Sequence, residues 1–152
     1  MEYLVRAARI TDVDRLVALS QDSFRSPGGR TPRVSADLLR QLVYLPQASV
    51  LVAEEGRELV GGVVLTLRPS VRAGGFVGTV DLLMVDPRRD ANRVTQALID
   101  EVLRSARNKG CAIVEAVRPR DLDERDRLTR GGFIDGEPLL QQPVADRAAA
   151  GR

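Results

Sequence analysis

Apolar and polar positions alternate along this chain in two rhythms, one of period two and one close to 3.6, and the switches between them mark the elements. Tyr3 to Arg9 reads as a first strand. Thr11 then stands as a helix cap with Asp14 three residues on, and Val13, Leu16, Val17 and Phe24 recur at helical spacing. The Pro- and Gly-rich stretch SPGGRTPR, residues 26 to 33, reads as a loop. Ser35 is placed to cap a second helix through Leu38, Leu39, Leu42 and Val43, which Pro46 stops. SVLVAEE and ELVGGVVLTL form a predicted hairpin about the Gly56-Arg57 turn, and RPSVRAGG breaks the pattern after it.

Gly78 to Val85 reads as another strand leading into a long helix, whose Val94, Leu98, Val102, Leu103 and Ala106 share one face before Gly110 ends it. CAIVEAV is the next inner strand, DLDERDRLTRGGF a short charged helix closed by Gly131-Gly132, and Phe133 to Val144 two weak strands. The order predicts an α/β (α+β) domain: a mixed, mostly antiparallel sheet of six to seven strands with about four helices on its faces. A parallel crossover runs through the long helix. Residues 1–145 form the expected single domain and 146–152 a frayed tail.

Length and composition agree with one core. A chain of 152 residues, 43% hydrophobic and 29% charged, suits one globular domain. The longest apolar run, Leu59 to Leu67, falls far short of the ~20 residues of a membrane helix. MEYLVRAARI lacks the pattern of a secretion signal, so cytoplasm is the expected compartment and no membrane partner is expected. Net charge is +2 with the basic residues scattered among acids, so nucleic acid is not an expected partner either.

Absences narrow the chemistry further. The sequence has no histidine and one cysteine, Cys111, inside an apolar run where it reads as a structural thiol. Histidine bases, Ser/His and Cys/His pairs, a thiolate zinc site within one chain and a disulfide framework are all excluded, and no metal is expected. Any acid or base is a carboxylate, Tyr3, Tyr44, Lys109 or a terminus.

VDPRRDANRVTQALID, residues 85 to 100, is a strand-to-helix joint, where many α/β proteins hold phosphate on free backbone amides. It contains no glycine. With RAARITDVDRL near the start, EEGRELVGGVVL, DLLMVDPRR and RGGF, all in order over roughly residues 4 to 144, the chain resembles the GCN5-related N-acetyltransferase (GNAT) family. The resemblance implies acetyl-CoA as cosubstrate. In that family the fourth strand's backbone, here near Leu83 and Val85, holds the pantetheine arm, and an R/Q-x-x-G-x-G/A motif opening the next helix binds the pyrophosphate. This chain puts Asp90, Arg93 and Thr95 at the three defined positions of that motif. Ala91 and Val94 lie between them, and Arg88 and Arg89 stand beside the turn.

A carboxylate at a helix N-terminus repels phosphate and competes for the same amides, so Asp90 or Asn92 is expected to cap the long helix. Arg88, Arg89 and Arg93 pull the other way, because guanidinium grips phosphate in two-pronged fashion. They also fit a solvated rim with Asp86 and Asp90. By the resemblance, the tyrosine that protonates the leaving thiolate maps to Leu128, and an asparagine after the fifth strand maps to Asp121, with Glu124 where a small residue follows. Asp81 maps to the base on the fourth strand, where partial burial would suit a proton acceptor. Alternation alone also places it on a solvated sheet face.

Two functions follow. One is an acyl-CoA-dependent N-acyltransferase acting on a small-molecule or peptide amine, with Asp81 as base; arginines in the loop 26–33 and the segment 68–75 hint at an acceptor bearing acid. The other is a binding module of the same fold without coenzyme, pairing as a homodimer through its last strands.

Overall fold

In the computed structural model, residues 2–19, 32–136 and 139–142 are described. The chain runs β1 (Leu4–Ala7), a 3-10 turn (Ile10–Asp12), α1 (Val13–Leu19), α2 (Pro32–Leu42), β2 (Ala48–Glu55), β3 (Glu58–Ser70), β4 (Gly75–Val85), α3 (Ala91–Asn108), β5 (Cys111–Ala116) and α4 (Leu122–Arg130). The strands form one sheet in the order β1-β2-β3-β4-β5. β1 to β4 pair antiparallel, and β5 lies parallel to β4 after the α3 crossover.

Alternation sorts the strand side chains between two faces. Val50, Val52, Val64 and Met84 pack with Val13, Leu16 and Leu39 of α1 and α2. Leu51, Ala53, Val63, Leu65 and Val80 pack with Val94, Leu98 and Val102 of α3. β3 is thus covered on both sides and buried from Leu59 to Leu65, the burial of each large side chain being worth roughly 1.5–3 kcal/mol. Gly61 and Gly62 interrupt that run for a steric reason. A Cβ on Gly61 would lie 2.8 Å from both the Met84 carbonyl oxygen and Val94 Cγ1. One on Gly62 would meet Leu16 Cδ2 at 2.6 Å. Each glycine therefore lets one helix settle onto the sheet.

The structure corrects several expectations. The sheet has five strands among the described residues, not six to seven. Phe133–Gly136 and residues 139–142 form no strand, and residues 137–138 and 143–144 lie outside the described residues. Gly132, at φ +99, turns the chain back and the Phe133 amide donates to the Leu128 carbonyl. That draws the chain onto α4 instead of along β5, while Leu139 and Leu140 are exposed.

The segment 68–75 does not end the β pattern: β3 runs on to Ser70 and β4 starts at Gly75, with a tight turn between. Thr11 is not a cap, since the extended residue is Arg9 and its amide donates to Asp12 Oδ2 at 2.7 Å. Asp12, 2% exposed, also takes two bonds from Arg6, and the guanidinium beside it holds its carboxyl below the usual carboxylate range. Ser35 falls inside α2, which begins at Pro32. The loop 26–31 and the tail 146–152 lie outside the described residues.

Candidate active site

β4 and β5 keep register from Phe76↔Cys111 to Val80↔Ala116 and then part. Among the described residues, Leu82–Val85 continue with β3 as their sole strand partner, Leu82 opposite Val64 and Val85 opposite Gly61. At the parting point Leu65 faces Val80 and Val64 faces Leu82, so Asp81 is an extra residue, a β-bulge. Backbone groups of a strand point alternately to its two edges. Alternate N–H and C=O groups of 81–85, the stretch containing Leu83 and Val85, therefore face a wedge that β5 has left without a strand.

Asp81 stands on the bulge at the apex of that wedge. It is exposed and, among the described residues, makes no ion pair or side-chain hydrogen bond. The partial burial expected of a base on this strand is missing, whereas Val80 beside it is buried.

Sequence reading passed over a second carboxylate at the same apex. Glu115 on β5 is the register partner of Thr79. Its Oε1 accepts from Thr79 Oγ1 at 3.3 Å and from Arg68 Nη2 at 3.3 Å. The available signal was the single acid in the apolar run CAIVEAV. Val114 and Ala116 on either side turn toward the α3 core, so Glu115 points to the opposite face.

At the far end of β4, the turn into α3 spends its donors internally. Asp90 caps α3, its Oδ1 accepting from the Arg93 amide at 3.3 Å, while the Val94 amide donates to the Asp90 carbonyl. Asp86, 2% exposed, accepts from the Arg88 amide at 3.0 Å and from Arg88 Nε and Nη2 at 3.1 Å. The Arg88 guanidinium holds the Asp86 carboxyl below its usual range. The Arg89 amide goes to the Asp86 carbonyl, and its guanidinium pairs with Glu55 and Glu58. Arg93 lies over the Tyr3 ring, 5.7 Å from its centroid. The side chains of Arg88, Arg89 and Arg93, expected as phosphate ligands, are thus brought together but each already has a protein partner.

Thr95, at the motif's last position, is 1% exposed, and its hydroxyl finds no hydrogen-bond partner among the described residues. Ala91 opens α3. Leu128, where a thiolate acid would stand, is buried, and Asp121 spends a carboxylate oxygen on the Glu124 amide to cap α4.

Two surface cavities of about 440 and 540 Å³ open on the α1 side, lined by Arg6, Arg9 and Asp12 and by Leu19, Asp86 and Arg88. No β5 residue lines either, so the wedge is a separate feature. Among the described residues no cluster of three carboxylates or thiols could hold a metal, and no helix is long and apolar enough to cross a membrane.

The fold has relatives among solved structures. An integron cassette protein from the mobile metagenome of Cole Harbour Salt Marsh is 28% identical with a TM-score of 0.77, over 93% of this chain and 91% of that one. A ribosomal-protein-alanine N-acetyltransferase from Brucella melitensis biovar Abortus 2308 is 19% identical with a TM-score of 0.71, over 93% and 99%. An aminoglycoside N-acetyltransferase in complex with CoA is 15% identical with a TM-score of 0.79, over 95% and 96%. No curated protein matches the sequence. The family model described as "Acetyltransferase (GNAT) family" matches residues 13–131, and with the parted β4 and β5 strands on the α3 crossover, the chain belongs to that family.

Proposed function

We propose that the chain is an acyl-CoA-dependent N-acyltransferase with a weakened hold on its coenzyme, passing an acetyl group directly to an amine bound beside it. The observation that carries this reading is the wedge: a strand edge freed at Val80 and continuing to Val85. Such an edge accepts an amide-bearing chain as it would another strand. The pantetheine arm of acetyl-CoA has two amides and fits it.

The pyrophosphate half fits poorly. The Arg88 and Arg93 amides are taken, the nearby guanidinium groups are occupied, and Asp86 and Asp90 set two carboxylates against the anion. Within this reading the backbone near Leu83 and Val85 binds the arm and polarises the acyl carbonyl. Asp81 accepts the amine's proton. With Leu128 in place of an acid, the departing thiolate takes its proton from water.

The same closed turn favours a second reading, a GNAT-fold binding module that has given up the coenzyme. Calorimetric titration with acetyl-CoA at moderate salt, with desulfo-CoA as control, separates the two. A dissociation constant of about 0.1–1 mM, roughly −5.5 to −4.1 kcal/mol, is expected for the enzyme. No heat up to about 1 mM overturns it and leaves the module.

A further inference from the structure

We propose that the cavity between β1, the 3-10 turn, the start of α1 and the β2–β3 turn is a binding site for a phosphate monoester, separate from the wedge, with Arg9, Arg15 and Arg57 as its ligands. The cavity measures about 440 Å³, within the range of small-molecule sites. Four of the seven residues that line it are arginine, and the two acids among them are Asp12 and Glu54. Both acids are already spent on one partner. Arg6 donates to Asp12 Oδ2 at 2.8 Å and to Oδ1 at 3.1 Å, while its Nε donates to Glu54 at 2.8 Å. Asp12 is 2% exposed and takes the Arg9 amide as well, so the floor of the cavity is fixed in place.

Three guanidinium groups remain above that floor. Arg15 stays 3.8 Å from Asp12 Oδ1, beyond hydrogen-bonding reach, and its side chain is 56% exposed. Arg9 and Arg57 make no side-chain hydrogen bond or ion pair among the described residues. Four positive charges against two negative leave the cavity at +2. Beyond the described side chains the sequence holds three acids, Asp22, Glu137 and Asp146, and five arginines, so counting them does not reverse that sign. A concave cluster of one sign concentrates the opposite charge. A phosphate monoester carries about −1.5 to −2 at neutral pH and neutralises the excess, where a single carboxylate would neutralise half of it. Guanidinium meets phosphate with paired donors, and Thr11, on the same wall, brings a hydroxyl donor. The place is distinct from the wedge, because β3 and β4 stand between it and the β4–β5 parting. Arg15 and Arg57 also line the second cavity, but Arg9 and Thr11 belong to this one alone.

The test follows backbone amide resonances of the full chain as glycerol 3-phosphate is added, with acetate at matched ionic strength as control. Glycerol 3-phosphate should shift Arg9, Thr11, Arg15 and Arg57 with a dissociation constant of about 0.5–5 mM, and acetate should bind at least tenfold more weakly. Arg9→Gln and Arg57→Gln should each weaken binding at least fivefold. Both side chains are exposed, so thermal unfolding should confirm an unchanged fold. Arg104→Gln, removing a remote arginine on α3, should leave binding unchanged. The proposal is overturned by no shifts at about 50 mM glycerol 3-phosphate, by acetate binding as tightly, or by equal losses in Arg104→Gln. Acetyl-CoA titrated separately keeps the two sites apart. Shifts at Arg9 and Thr11 on adding acetyl-CoA that glycerol 3-phosphate reverses would make the cavity part of the coenzyme site and overturn a separate one. A chain that binds glycerol 3-phosphate but no acetyl-CoA sinks the coenzyme reading and leaves this site standing.

Discussion

Replacing Asp90 with glycine should convert a closed helix end into an open one. Asp90 is an exposed N-cap whose bond to the Arg93 amide is long, at 3.3 Å. Glycine is itself an accepted N-cap, so the substitution costs only about a few tenths of a kcal/mol in stability. The gain in anion affinity is larger. At about 5 Å in a water-like dielectric, one carboxylate charge opposes one phosphate charge by roughly 0.8 kcal/mol, and the two charges of a pyrophosphate together by roughly 1.4 kcal/mol.

Freeing the Arg93 amide adds about 0.5–1.5 kcal/mol of hydrogen bonding. The sum is about 2 kcal/mol, or roughly a 30-fold tighter acetyl-CoA complex, and its electrostatic share should shrink as salt rises. Calorimetry of wild type and Asp90→Gly at two ionic strengths, with thermal unfolding to confirm an unchanged fold, measures this. If Asp90→Gly binds acetyl-CoA no more than threefold tighter than wild type, the argument that Asp90 guards the anion site is refuted.

Other outcomes follow from the packing and the ion pairs. Gly61→Ala drives a methyl against the Met84 carbonyl oxygen and Val94 Cγ1. It should cost about 2 kcal/mol and lower the midpoint of thermal unfolding by about 5 °C. Thr95→Val removes a buried hydroxyl that has no partner among the described residues. It should stabilise by about 1 kcal/mol, and a lower melting midpoint would show that the hydroxyl is used. Asp12 and Asp86 have carboxyls held below the usual range by Arg6 and Arg88, so the unfolded chain binds protons there more readily than the folded one. Their contribution is complete above the unfolded value near pH ~4 and is lost as pH falls through the folded values. Denaturant titrations from neutral to strongly acid pH should show this decline, and Asp12→Asn should flatten it.

Where periodicity met a packed face, the chain was legible before any coordinates. Val94, Leu98, Val102 and Ala106 mark α3 because one stripe must reach the sheet, and Leu59 to Leu65 marks a strand buried on both faces. The capping of α3 by Asp90 was legible too, since a carboxylate one residue before a helix has few other places to bond. What escaped depends on partners distant in sequence. Asp12 displaces Thr11 as the local anchor because Arg6, itself bonded to Glu54 on β2, donates to it at the sheet edge. The bulge at Asp81 exists only in the pairing of β4 with β3. The engagement of Arg89 depends on Glu55 and Glu58 at the neighbouring hairpin, and Glu115 gains its meaning only when β5 lies beside Thr79. The two weak strands past Phe133 had the right composition, but a strand needs a neighbour and the turn at Gly132 leads elsewhere.

The sheet order has a kinetic consequence. Among the described residues every strand lies beside its neighbour in sequence. β2, β3 and β4 are joined by turns of only a few residues, so their pairing closes small loops and loses little chain entropy. This three-stranded meander is the natural folding nucleus. β5 must wait for the whole of α3 to be laid down before it docks, and β1 must wait for the long stretch of chain, α1 and α2 included, that separates it from β2. Substitutions in the β3–β4 pairing should therefore slow folding, while those in β5 should chiefly speed unfolding.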